Sequence, residues 1–143
     1  MNSNSPLRLF TLEVNTETKS ITPHVRYISP DNVLKDLYQI LNCDLVTCTE
    51  IEVNGNLFDV YSDDEALLKD RPVPNLYIDD DLIIFGSVAF AKANDDGKLV
   101  GLSRHDIHML WDFALKQFPK LLSFIARQKG GISNGAILSP DFG

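Results

Sequence analysis

The run Gly55-Asn56-Leu57-Phe58-Asp59-Val60-Tyr61 leads through Ser62-Asp63-Asp64-Glu65 and the prolines Pro72 and Pro74 to Leu82-Ile83-Ile84-Phe85-Gly86-Ser87-Val88-Ala89-Phe90, and its reading decides the fold. Asn54-Gly55 supplies the positive backbone angles of a two-residue hairpin turn, so residues 45–53 pair with residues 57–61. Ser62-Asp63-Asp64-Glu65 caps a single helical turn through Leu68, which Pro72 and Pro74 prevent from continuing. The apolar residues that follow predict one strand over 82–92. Gly86 inside it predicts a bulge or a close backbone approach, because no glycine-rich turn leads into a helix to cradle phosphate. Asn94-Asp95-Asp96-Gly97 returns the chain through Lys98-Leu99-Val100, and a meander is the implied order.

Working outward, residues 7–14 alternate Leu7, Leu9, Thr11 and Glu13 against Arg8, Phe10, Leu12 and Val14, which suits a strand covered mainly on one face. Residues 21–28 are extended as well, and Pro23 places them at a strand start or a sheet edge. Ser29-Pro30-Asp31-Asn32 is a helix-start signal, followed by Leu34, Leu37, Tyr38 and Leu41 on one helical face that ends near Asn42. Beyond residue 102 the period changes. Ser103 with Asp106 resembles a capping box, and Ile107, Leu110, Trp111, Ala114 and Phe118 mark a helical stripe. Pro119 starts or kinks a further helix over 121–127, closed by Gly130-Gly131. The expectation is one α+β domain over 7–131, between a disordered lead at 1–6 and an irregular tail at 132–143. Its sheet is largely antiparallel, of about five or six strands, with one helix after the second strand and two C-terminal helices, all covering one side.

The chain has 143 residues, a formal charge of -7 and 44% hydrophobic residues, enough for a single core. An acidic balance works against phosphate neutralisation, so no direct nucleic-acid binding is expected. No apolar run approaches the roughly 20 residues that cross a bilayer, so no membrane association is expected either. The opening residues lack a secretory signal and Cys43 and Cys48 read as reduced thiols, which implies a cytoplasmic protein. Ten acids between residues 59 and 96 face Lys69, Arg71 and Lys92 alone, so that window carries the whole net charge.

Turn chemistry and solubility account for many of these aspartates. The sharper reading is an acidic surface made by Asp63, Asp64, Glu65, Asp79, Asp80 and Asp81, complementary to a protein with a basic surface. The alternative is a small-molecule or nucleotide-ligand pocket walled by Pro72, Asn75, Tyr77 and Gly86. A metal-dependent enzyme comes third. The acids form no calcium loop, and Cys43, Cys48, His105 and His108 depart from zinc-finger spacing, so neither a metal site nor a cofactor is expected. His108 sits one turn from Asp112 and reads as structural. No catalytic residue is assigned. Residues 121–125, apolar almost all round, read as core first and as half of a homodimer interface second.

Residues 30–103 also resemble a small uncharacterised domain family that recurs in bacteriophages, prophages and plasmids. The matching features are the helix over 33–41, the strand ending Ile51-Glu52-Val53, and the hairpin Gly55-Asn56-Leu57-Phe58-Asp59-Val60. Ala66-Leu67-Leu68-Lys69 with Pro72, Pro74 and Asn75, Ile84-Phe85-Gly86-Ser87-Val88-Ala89, and Asp96-Gly97-Lys98-Leu99-Val100-Gly101-Leu102-Ser103 complete them. Here Asn42-Cys43-Asp44 stands where the family often carries a glycine pair. The resemblance implies a non-enzymatic mobile-element accessory protein that engages a host factor, with inhibition of a defence enzyme as the expected role.

Overall fold

The computed structural model describes residues 5–18, 20–69, 72–128 and 139–140. Its strands are β1 (Leu7–Asn15), β2 (Ser20–Ile28), β3 (Val46–Val53), β4 (Asn56–Asp63), β5 (Pro74–Asp79), β6 (Leu82–Phe85), β7 (Val88–Ala93), β8 (Leu99–Val100) and β9 (Ser139–Pro140). Helix α1 spans Val33–Leu41, α2 spans Arg104–Arg127, and Ala66–Leu68 form a single 3-10 turn. The main sheet runs β3-β4-β7-β1-β2-β9, with β8 beside the end of β7; β5 and β6 pair as a separate hairpin. Every pairing is antiparallel except that of β9 along the start of β2. The α+β class and the largely antiparallel sheet agree with the sequence reading.

The strand expected over 82–92 is two strands in two sheets. Gly86 adopts φ +81, a conformation open to glycine and costly for other residues, and there the chain leaves the β5–β6 hairpin for the main sheet. The meander fails at the same point, because β7 inserts between β4 and β1, where both of its edges are paired. Apolar character marks both segments equally, so hydropathy carries no sign of the corner.

One face of the sheet gathers Phe10, Leu12, Ile51, Val53, Phe58, Val60, Val88 and Phe90 against Met109, Leu110, Ala114, Leu121 and Ile125 of α2. Phe10 lies between Phe90 and Trp111, with ring centroids 5.8 and 6.2 Å away. The opposite face places Leu9, Ile28, Ala89 and Ala91 against Leu37 and Leu41 of α1. The helices therefore cover both sides of the sheet, not one. β1 follows suit: Leu9, Phe10, Thr11 and Leu12 are all fully buried. On α1 the buried stripe uses Leu37 and Leu41, with Val33 and Ile40 packed beside them, while Leu34 is exposed.

The two C-terminal helices are one. Pro119 lies inside α2 on its exposed side, near the exposed Leu115 whose carbonyl loses its helical donor. Solvent on that side can satisfy the carbonyl, so the helix continues, and Leu121 and Ile125 join the same buried stripe as Leu110. The helix ends at Arg127; the expected Gly130-Gly131 stop, residues 1–4 of the lead and most of the tail lie outside the described residues. Ser139 and Pro140 of that tail form β9.

The start of α2 is pinned twice. Ser103 Oγ accepts the Asp106 N–H at 3.0 Å, and an Asp106 carboxylate oxygen accepts the Ser103 N–H at 2.9 Å. The other Asp106 oxygen meets Lys92 Nζ of β7 at 3.2 Å, and that ammonium also lies 5.5 Å from the centre of the Phe58 ring. Burial pushes the Asp106 carboxyl up, but the Ser103 and Lys92 interactions outweigh it and hold the group below the usual carboxylate value.

Two stability predictions arise. Asp106→Asn loses about 1–2 kcal/mol in urea unfolding at neutral pH, the ordinary scale for a lost cap and a charged hydrogen bond. Because the folded carboxyl titrates below the unfolded one, this contribution is complete above roughly pH 4 and disappears as pH falls through the lowered folded value. Wild type should therefore lose more stability than the variant on acidification. Gly86→Ala costs about 1–2 kcal/mol. Its Cβ would find Ala66 at 3.7 Å, an ordinary contact, so the cost is conformational; an unchanged midpoint would contradict it.

Candidate interaction surface

Asn54 and Gly55 have φ values of 51 and 81, the two positive angles of a type I′ turn. That turn makes Val53 and Asn56 the first cross-strand pair and sets the register of the whole β3–β4 ribbon, with Ile51 opposite Phe58, Glu50 opposite Asp59 and Cys48 opposite Tyr61. Side chains alternate, so Ile51, Val53, Phe58 and Val60 enter the core under α2. Cys48, Glu50, Glu52, Asp59, Tyr61 and Asp63 then share the other face, the one that carries α1.

This face is strongly anionic. Glu50 and Asp59 are directly opposed like charges, an arrangement that destabilises a sheet. Among the described residues, neither they nor Glu52 forms an ion pair. The neighbouring groups respond to the potential. Tyr61 is pushed up to about 12, first by burial and then by Cys48 and Asp59. The Cys48 thiol is raised by burial and by the charges of Asp59 and Glu50. Cys43 is raised by burial and by Asp63. Both thiols are thereby made poorer nucleophiles.

The six acids expected to form the partner surface fall in two places. Asp63 closes β4, its side chain 9% exposed and 3.4 Å from Lys69 Nζ, while its other oxygen accepts the Glu65 N–H at 2.9 Å. Asp64 and Glu65 follow in the turn, and Ala66 beyond them lies near Gly86 at the base of the hairpin, where a Cβ added to the glycine would meet it at 3.7 Å. Asp79, Asp80 and Asp81 occupy the hairpin tip, about 17 Å away along the length of β5. There Asp79 accepts the Asp81 N–H at 2.8 Å, and Asp80 accepts from the Tyr77 hydroxyl and, at 3.2 Å, from Arg127. Asp63 thus joins the β3–β4 row and the tip acids do not. Glu50, Glu52 and Asp59 were absent from the expected surface, although the Asn54-Gly55 turn carried the register that assembles them.

The residues expected to wall a pocket divide as well. Asn75 is fully buried as a brace, its amide donating to the carbonyls of Leu12 at 3.0 Å and Gly86 at 2.8 Å. Pro72 is exposed. Tyr77 lines a cavity of about 200 Å³ with Val53, Met109, Phe113, Lys116 and Lys120. Gln117 holds one wall, accepting the Tyr77 N–H at 2.8 Å and donating to the Asn75 carbonyl at 3.4 Å.

A second polar cluster lies where β1 meets β2. Arg26 makes two hydrogen bonds of 2.7 Å to Glu13, and Thr11 donates to Glu13 at 2.6 Å. Burial raises the Glu13 carboxyl, but Arg26, Thr11 and His24 together bring it below its ordinary value. This charge is neutralised in place, unlike those of Glu50 and Asp59. Cys43 and Cys48 belong to the α1 side of the sheet and His105 and His108 to exposed positions on α2, so the sheet separates the four. Asp112 pairs with Lys116 at 2.9 Å rather than with His108. Among the described residues no helix is long and apolar enough to cross a membrane. Leu121 and Ile125 are buried in the chain's own core, and Phe124 packs on Tyr77 with ring centroids 6.2 Å apart.

Fold and surface together define an α+β sheet protein, helix-covered on both faces, with an acidic row along one terminal ribbon in which Glu50, Glu52 and Asp59 form no ion pair among the described residues. The chain belongs to the family described as Domain of unknown function (DUF3846), whose model matches residues 14–114. That span contains the whole of residues 30–103 and adds β2 and the first half of α2. No curated protein and no solved structure matches the chain.

Because Glu50 opposes Asp59 directly, Glu50→Lys should stabilise the protein by about 0.2–1 kcal/mol in urea unfolding. Asp59→Asn should lower the Tyr61 pKa from about 12 while leaving it above 10, since burial persists; ultraviolet absorbance of the phenolate reads the shift.

Proposed function

We propose that this chain is a non-enzymatic binding protein whose acidic β3–β4 face docks on a basic protein surface. The observation that carries the reading is the Glu50–Asp59 pair: two directly opposed carboxylates, neither ion-paired among the described residues, on a ribbon whose register the turn fixes. Such an arrangement costs folding stability and gains attraction for a cationic partner. The resemblance noted in the sequence supports a mobile-element setting, in which the partner is a host factor and a defence enzyme the expected target. The pushed-up Cys43 and Cys48 thiols favour binding over nucleophilic chemistry.

The cavity at Tyr77 favours a second reading, a small-ligand binder whose anionic group meets Lys116 or Lys120. Its volume of about 200 Å³ falls below the ~300–1,000 Å³ usual for pockets that hold drug-sized ligands. That reading is accordingly the weaker.

Immobilised wild type, a triple variant (Glu50→Gln, Glu52→Gln, Asp59→Asn) and a tip variant (Asp79→Asn, Asp81→Asn) should be compared on host lysate. A stoichiometric host protein retained by wild type and the tip variant, released by ~0.5 M salt and lost from the triple variant, is the expected result. Undiminished retention on the folded triple variant would remove the acidic face from the account.

A further inference from the structure

The type I′ turn also decides where the backbone of β3 points. Its flanking residues Val53 and Asn56 exchange both hydrogen bonds, and the alternation that follows turns the N–H and C=O groups of Val53, Ile51, Thr49 and Thr47 toward β4. The same groups of Glu52, Glu50 and Cys48 therefore point outward from the sheet, for β3 ends the strand order. These three residues are exposed, and no described residue hydrogen bonds to their outward backbone groups. β3 contains no proline, and it shows none of the pairing that β9 gives to β2 at the other end of the sheet.

The residues with outward backbone groups are thus the same ones whose side chains build the acidic face. A strand added at this edge would set its own residues directly opposite Glu52, Glu50 and Cys48, with side chains on the α1 side. Residues between them would fall beside Thr49, Ile51 and Val53 on the other side. Charge complementarity then specifies the occupant. Lys or Arg at alternate positions answers the two glutamates and Asp59, and β-branched residues fill the positions between. A second copy of β3 brings acids, and setting Glu50 against Glu50 or Glu52 is repulsive.

We propose that the open edge of β3 takes up an extended basic segment of a partner protein by antiparallel strand addition, its Lys or Arg residues spaced two apart over Glu50 and Glu52. This rests on the acidic-face reading and makes it specific: backbone pairing supplies the geometry and the carboxylates select the sequence.

The probe is the capped peptide Lys-Val-Lys-Val-Lys-Val-Lys, used with the full chain and followed by calorimetry and amide hydrogen exchange. Binding should slow exchange of the Cys48, Glu50 and Glu52 amides at least tenfold, and a peptide of equal charge with alternate backbone nitrogens methylated should not. Cys48→Pro, which removes one outward N–H and no carboxylate, should weaken binding at least tenfold where Cys48→Ala does not; a chemical shift spectrum confirms that each variant is folded. Equal binding of the native and methylated peptides without amide protection would overturn strand addition and leave the acidic-face reading standing. No binding of either peptide would also overturn it, with lysate retention then deciding the broader reading alone. A free chain that sediments as a dimer with these three amides already protected would assign the edge to a second copy and overturn it too.

Discussion

β7 is the constraint on which the rest of the molecule depends. Its backbone is paired on both sides, to β4 and to β1, and Val88, Ala89, Phe90 and Ala91 are completely buried. Alanines 89 and 91 leave room for α1 on one face, while Phe90 fills the space under α2 on the other. The β3–β4 ribbon docks through β4 on one edge of β7, and its far edge becomes the end of the sheet.

Reaching that centre requires the chain to leave the main sheet after β4 and come back, and the detour is the β5–β6 hairpin. Asn75 joins hairpin to sheet by linking the carbonyls of Leu12 and Gly86, one on β1 and one at the corner. Gly86 makes the corner with a backbone angle that side-chain-bearing residues resist. The acids of the detour serve its construction: Asp79 and Asp63 accept N–H groups of their own turns, and Asp80 ties the tip to Arg127. Glu50, Glu52 and Asp59 form no ion pair among the described residues. The electrostatic interest of the chain thus lies in the ribbon, away from the densest run of aspartates.

Local chemistry was legible in the sequence wherever neighbouring residues settle the outcome. The Asn54-Gly55 turn, the Ser103–Asp106 capping box, the 3-10 turn before Pro72 and the end of α1 at Asn42 all depend on contacts within a few positions. What could not be read depended on residues far apart in the chain. Thr11 has a polar side chain and alternates like a solvent-facing residue, yet Ala89 and His24 flank it and it is wholly buried. Pro119 breaks helices by a local rule, but exposure of that side of α2 lets the helix pass through. The Glu50–Asp59 pair lies between these cases. Its register was available from the turn, while the absence of an ion pair to it among the described residues became visible only with the whole ribbon in place.

Gln117 has a consequence for how the molecule comes apart. Its side-chain amide accepts from the Tyr77 N–H and donates to the Asn75 carbonyl, which is the pattern a neighbouring strand would present to β5. One glutamine on a helix thereby stands in for a third strand. A two-stranded hairpin is marginal by itself in water, so β5–β6 holds together because α2 supplies the missing edge. Hairpin and helix are thereby coupled: a local opening at Tyr77 breaks the two hydrogen bonds that Gln117 makes to β5.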